Sequence, residues 1–351
     1  MRYELPASSD RAIWDIWLSI HRLPAMAAAD ELGVFAALDS APATAAQIGQ
    51  RLGFNQRGTD VLLSMLTALD LLVLRDGRHE LTDVARTYLL PDSPYYWGPL
   101  LRVLGVVPER HEALIRALRA PDDRATPMDV APAPKGSSPD DAPEAWTRGQ
   151  ISRAQAEAVT RLMHSHSLPA SVGAARNGNL QGVSRLLDVG GGSGCFAIAI
   201  AQQFPSIRCT VLELPAVCDV ARGYIAEGGV SGRVDTMSID MFREAWPRGC
   251  VGMFFSNIFQ DWNAETNVFL ARRAYEALQP GGRIFLHEQL LAEDGSGPVT
   301  TAAFSMLMLL GTRGRQYTLG EHKQILSSAG FVDINSCATY GYYSVVSGRK
   351  A

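Results

Sequence analysis

One abrupt junction constrains this 351-residue chain more than any other feature: an apolar run that breaks into glycine without a polar transition. Leu186-Leu187-Asp188-Val189 leads directly into Gly190-Gly191-Gly192-Ser193-Gly194, and Phe196 to Phe204 follows with helical spacing. A strand, a glycine turn and a helix form the opening unit of an open α/β sheet, whose ligands approach the backbone at the strand's carboxyl end. The rhythm continues with strands at 207–213, 234–239, 251–257 and 283–291 and helices at 216–228 and 266–278, closed by a helix at 321–329 and a strand at 342–347. Strands joined by helical crossovers predict a parallel sheet with right-handed connections.

The first third has a different pattern. Apolar residues recur at helical spacing in Ile13-Trp14-Ile16-Trp17-Ile20 and from Ala25 to Leu38. Thr44 offers an N-cap for 45–52, Gly53 closes that helix, Thr59 to Leu72 reads as a second, and an Asp76-Gly77 turn joins 72–74 to 79–81 as a hairpin. This winged-helix layout raises a DNA-binding regulator as one reading. Against it, Arg57 alone in the first turns of the second helix is suited to read bases, and Val61, Leu62, Leu63, Met65, Leu66 and Leu69 make that helix apolar nearly all round. With 36 acidic against 32 basic residues the chain also lacks the footprint of a nucleic-acid binder. A dimerisation role fits better, and Trp14, Trp17 and Phe35 are assigned either to that interface or to the core.

Proline and other turn-forming residues crowd residues 121–143. The expected organisation is a helical domain over 1–120, a linker or loop over 121–145, and an α/β domain over 146–351, with a helical pattern from Trp146 to Ser171. No window reaches about 18 uninterrupted apolar residues, and the N-terminus lacks a secretory pattern, so a soluble cytoplasmic protein without a membrane partner is expected. Five cysteines form no CxxC pair, which suggests neither a disulfide frame nor a zinc site.

The glycine turn is not followed by the lysine of a phosphate-cradling loop, and Cys195 stands where a dinucleotide fingerprint has its third glycine. Glu213, with Leu214 beside it, closes the next strand and is placed to accept hydrogen bonds from a ribose diol. Asp240-Met241 offers a carboxylate and a thioether to flank an adenine, and Asp188 an acceptor for an ammonium, directly or through water. A nucleoside carrying an amino acid, S-adenosylmethionine, fits these elements best.

Together with Asp261-Trp262, Pro280-Gly281-Gly282-Arg283 and Ala329-Gly330-Phe331, these strings resemble the class I S-adenosylmethionine-dependent methyltransferases of the plant-type small-molecule O-methyltransferase group. The resemblance covers most of the chain. It implies a Rossmann-like catalytic domain preceded by a winged-helix dimerisation domain, a homodimer, a small-molecule acceptor from specialised metabolism, and a cofactor pocket lined by Gly190, Gly192, Glu213, Asp240, Met241 and Ser256.

The match breaks at the chemistry. Family members carry His-Asp-Trp after the fourth strand, the histidine serving as base, whereas this chain has Gln260-Asp261-Trp262. An amide cannot act as a general base, so Gln260 can only orient substrate or help hold a metal. Glu288 matches the first helping carboxylate of the family, and the second falls on Gln316. Three explanations stay open: an acceptor acidic enough to ionise unaided, another base among His164, His166 and His287, or an enolisable carbon as acceptor. O-methylation is the leading reaction and C-methylation beside a carbonyl the alternative; a divalent metal is not expected. His164 and His166 lie about 200° apart around a helix, so at most one is expected to face a pocket, and His287 should point away from Glu288 on a strand. Met163, Asp261, Met306 and Gln316 complete the expected substrate pocket.

Overall fold

The computed structural model describes residues 1–93, 96–98, 101, 108–120 and 151–351, and the linker expected at 121–145 lies outside them. The chain divides into two compact units, each discontinuous in sequence: 1–11, 129–290 and 319–351 make one, 12–128 and 291–318 the other. The single cut read from the sequence therefore differs from the structure in two segments: Met1–Arg11 groups with the sheet, and Leu291–Thr318 with the N-terminal helices.

In the sheet unit, β3 (Arg185–Val189), β4 (Arg208–Glu213), β5 (Val234–Ser238), β6 (Cys250–Ser256), β7 (Leu278–Gln289), β8 (Phe331–Tyr340) and β9 (Tyr343–Lys350) form one seven-stranded sheet in the order β5-β4-β3-β6-β7-β9-β8. The pairings from β5 to β7 are parallel, as expected, whereas β9 runs antiparallel to both β7 and β8. The all-parallel expectation is thus corrected at one edge. Only Tyr340 to Tyr343 joins β8 to β9, a connection too short for anything but a hairpin. Strand β8 escapes a reading of periodicity because it is an edge strand, largely exposed, with register breaks and Asp333 at φ +54°. The central strands carry the continuous apolar runs of strands covered on both faces, with Leu187, Val211, Phe254 and Phe285 at 1% exposure or less.

Helices α8 (Arg153–Asn177), α9 (Cys195–Gln203) and α10 (Pro215–Glu227) pack together, as do α11 (Ala264–Ala277) and α13 (Leu319–Ser328). The described part of the helix read from Trp146 begins at Arg153, where Ser152 and Gln155 form a capping box.

The helical unit holds α1 to α7 (Arg11–Leu18, Arg22–Glu31, Val34–Asp39, Ala45–Leu52, Gln56–Ala68, Asp83–Tyr88 and Pro108–Arg119), the hairpin β1–β2 (Leu72–Arg75, Arg78–Leu81) and α12 (Val299–Gly311). Its winged-helix core matches the reading: Thr44 caps α4, Gly53 closes it at φ +69°, and Asp76 and Gly77 turn the hairpin at φ +49° and +74°. Helix α5 is the one a DNA-binding reading would place in a groove. It packs instead against α2, α4, α7 and α12, and Arg57 donates to the carbonyls of Leu309, Thr312 and Gly314 at the end of α12. Trp14 and Phe35 are buried, and Trp14 lies 5.5 Å from Phe304, while Ile13, Ile16 and Trp17 remain exposed.

Candidate active site

Strand order reverses between β3 and β6, so the connections leaving their carboxyl ends diverge and open a crevice there. The crevice has two lobes, of about 600 Å³ and 850 Å³. Leu212, Leu214, Ile239, Asp240, Met241, Phe242 and Trp262 line the first; the turn 190–193 with Met163, His164, His166, Ser256 and Asn257 lines the second. Gly190, Glu213, Ile258 and Asp261 border both. Of the expected cofactor residues, all but Asp188 therefore face this cleft.

The glycine turn is imposed by geometry. Gly190 and Gly192 sit at φ +68° and +55°, and a Cβ on Gly190 would lie 2.5 Å from Ile258 Cδ1. Asp188 lies behind the turn at 1% exposure, and a Cβ on Gly191 would meet its Oδ2 at 2.6 Å. Burial raises its carboxyl to about 7. Glu213 reaches from the end of β4 to the waist between the lobes, where Oε1 accepts from the Gly192 N–H at 3.2 Å and Oε2 from the Leu214 N–H at 2.8 Å. Burial raises this carboxyl too. Asp240 Oδ1 accepts from the Phe242 N–H at 2.9 Å, and Phe242 meets Trp262 edge-on at 4.7 Å. Carboxylates in an aromatic and thioether-lined lobe, beside a lobe walled by backbone, suit a nucleoside carrying an amino acid.

After β6 the chain turns through a short 3₁₀ segment, Phe259–Asp261. Glu288 on β7 holds it: Oε1 accepts from the N–H groups of Ile258 (3.1 Å) and Phe259 (3.0 Å), and Oε2 is buried without a hydrogen-bond partner. Burial, with Asp261 nearby, pushes the Glu288 carboxyl well above its ordinary range. Asn267, fully buried on α11, donates to the carbonyls of Phe259 (2.8 Å) and Trp262 (3.2 Å). Sequence reasoning missed this second clamp; its signal is an asparagine on the apolar face of a helix, four residues after the Asn263 cap. Gln260 is 4% exposed in this turn, and burial raises Asp261 to about 7.

His164 and His166 both line the second lobe, contrary to the expectation that one at most would. The lobe borders α8 from Val159 to Ser167 along an arc of about 160°, and the two histidines mark its margins. His164 Nδ1 lies 2.8 Å from Ser193 Oγ and the ring stacks on Tyr224 at 4.2 Å. Burial lowers His166 to about 4. His287 faces away from Glu288, as expected, buried between Ser256 Oγ (2.9 Å), Thr339 Oγ1 (3.2 Å) and the Tyr343 ring, and is pushed down to about 3. Met306 and Gln316 belong to the helical unit, where both are buried and the Gln316 N–H donates to Ser305 Oγ at 3.0 Å. Among the described residues no three histidine, cysteine, aspartate or glutamate side chains cluster as metal ligands, and no helix is long and apolar enough to cross a membrane.

Two family models match the sequence, an O-methyltransferase domain over residues 139–332 and an O-methyltransferase dimerisation domain over residues 14–91. A 3-hydroxy-5-methyl-1-naphthoate 3-O-methyltransferase from Streptomyces sahachiroi is 35% identical over 346 residues, covering 96% of this chain and 94% of the relative. Among solved structures, an O-methyltransferase family 2 protein from Planctomyces limnophilus shares the fold with a TM-score of 0.87 over 100% of both chains, at 24% identity. Human N-acetylserotonin methyltransferase in complex with S-adenosylmethionine aligns at 25% identity and a TM-score of 0.58, covering 99% of this chain and 100% of the human chain.

Proposed function

Because the chain belongs to the O-methyltransferase family and carries that family's dimerisation domain, we propose that this S-adenosylmethionine-dependent methyltransferase modifies a hydroxyl on a small fused-ring aromatic acid of the hydroxynaphthoate class. The protein is an enzyme of specialised metabolism. We place it in the cytoplasm as a homodimer, acting on neither nucleic acid nor membrane.

The observation that carries the reading is the waist of the cleft, where Glu213 is oriented by two backbone N–H groups between an adenine-sized lobe and the glycine turn. Glu213 accepts the ribose hydroxyls, Asp240 and Met241 border the base, and the open backbone at Gly190 and Gly192 admits the amino-acid end. Ser256 and Leu214 complete that wall, and Asp188 supports the turn from behind. When bound, the cofactor supplies a sulfonium methyl, an electrophile whose positive charge departs with sulfur.

This chain's own work is to position the acceptor in line with that methyl and to exclude water, and positioning alone accounts for much of the acceleration in such displacements. Gln260, buried in the turn that Glu288 and Asn267 hold, orients the acceptor. Met163, His164 and His166 border the lobe where the acceptor meets the methyl.

The test is incubation with methyl-labelled S-adenosylmethionine and a panel of hydroxynaphthoic acids, phenols and 2-oxo acids, with products located by NMR. Label on a naphthol oxygen is expected. Label on carbon, or no transfer to any aromatic hydroxyl, would overturn the reading.

A further inference from the structure

We infer that Asp261 is the base that removes the acceptor's proton, in the role that Gln260 cannot fill; the assignment rests on the methyltransferase reading above. Among the described residues, only Gly190, Glu213, Ile258 and Asp261 border both lobes of the cleft. S-adenosylmethionine joins a nucleoside to an amino acid through sulfur. With the nucleoside in one lobe and the amino acid in the other, the sulfur and its methyl would fall beside the residues the lobes share. Of these four, two ionise. Both oxygens of Glu213 already accept backbone N–H groups beside the ribose position. The Asp261 carboxylate accepts no hydrogen bond among the described residues, so its lone pairs are available to a substrate.

The surrounding groups favour the same assignment. Burial brings Asp261 to about 7, where a base is free at neutral pH yet still attracts a proton. From β7, Glu288 is turned to the N–H groups of Ile258 and Phe259, and His287 is enclosed and pushed down to about 3. From α8, His166 is lowered to about 4, too weak a base, and His164 is engaged by Ser193 and Tyr224. Asp240, in the loop after β5, is turned to the Phe242 N–H and to Arg243. Glu288, bound to the backbone of the turn, and Asp261, poised near 7, divide the work of the turn between holding and proton removal.

In the step, the acceptor hydroxyl passes its proton to the Asp261 carboxylate while its oxygen forms a bond to the methyl carbon. The carbon–sulfur bond breaks with its electron pair staying on sulfur. The products are the methyl ether, S-adenosylhomocysteine and protonated Asp261, which returns its proton to water.

The experiment compares the full-length wild type with Asp261→Asn, and with Asp261→Asn carrying Gln260→His, on S-adenosylmethionine and a hydroxynaphthoic acid across pH 5.5–9. Wild-type kcat/KM should rise with pH through a midpoint near 7. Asp261→Asn should lose that limb and about 10²-fold or more in kcat, the usual worth of a general base. S-adenosylhomocysteine binding by calorimetry should persist in the variant, which also establishes that it folds. The deficit should shrink on nitrophenols, which ionise unaided, and the added histidine should restore activity with a limb of its own. An unchanged pH limb in Asp261→Asn, or a loss traced wholly to weaker S-adenosylhomocysteine binding, overturns the base assignment alone. Absence of methyl transfer by the wild type overturns the function on which it rests.

Discussion

Two turns leave adjacent parallel strands of the same sheet, and they are built on opposite plans. The turn after β3 presents backbone: its shape comes from Gly190, Gly192 and Gly194 at positive φ, and Glu213 adds a carboxylate at its mouth. The turn after β6 presents the side chains of Asp261 and Trp262, with Gln260 buried beside them, and its shape is held from a distance by Glu288 on β7 and Asn267 on α11. A backbone site constrains a few neighbouring residues and tolerates little change in them. A side-chain site held by remote clamps can exchange its reactive group and keep its frame, as the glutamine at position 260 illustrates.

The largest effect should fall on the backbone turn. Gly190→Val places a branched side chain at φ +68° and within reach of Ile258 Cδ1, so S-adenosylhomocysteine affinity by calorimetry and activity should both fall by at least about 5- to 150-fold, the 1–3 kcal/mol that strained backbone alone costs before the clash is counted. The remote clamp should respond according to chemistry. Glu288→Ala leaves two buried N–H groups without their acceptor and should lower unfolding stability by about 3 kcal/mol in urea titration. Glu288→Gln keeps a side-chain oxygen to accept from both N–H groups, so it should stay within about 1 kcal/mol of wild type. A large loss in Glu288→Gln would show that the ionised form is needed.

Asp188 gives a pH-dependent contrast. Its carboxyl binds a proton more tightly folded, at about 7, than its ordinary 3.8, so its contribution is fully present below the ordinary value and is lost as pH rises through about 7. Wild-type stability should therefore decline between pH 4 and pH 7, and Asp188→Asn should flatten that slope by up to about 4 kcal/mol in denaturant titrations across the window. Asn267→Ala should cost less than Glu288→Ala, about 1–2 kcal/mol in stability, with kcat falling while S-adenosylhomocysteine affinity persists. A fall in affinity instead would tie the second turn to cofactor binding.

The same contrast explains what could be read from sequence. The glycine turn and Glu213 were legible because their conformational demands are local and leave a compositional trace. The clamps were not, since Glu288 acts on Phe259 across 29 residues and Asn267 differs from a solvated asparagine only by its burial. The winged helix was legible through caps and an Asp-Gly turn. Its completion by Leu291–Thr318 was not, because the pairing of Leu291 with Thr318 and the packing of α12 on α5 join segments remote in the chain. Strand β8 hid because an edge strand with two register breaks has no clean alternation.

The most direct test of this division of labour is S-adenosylhomocysteine affinity by calorimetry in the wild type, Glu213→Ala and Gln260→Ala. The account predicts that Glu213→Ala weakens binding by about 10- to 100-fold, the worth of hydrogen bonds to a charged acceptor, while Gln260→Ala binds as the wild type does and loses turnover. Undiminished affinity in Glu213→Ala, or binding lost in Gln260→Ala, would contradict it.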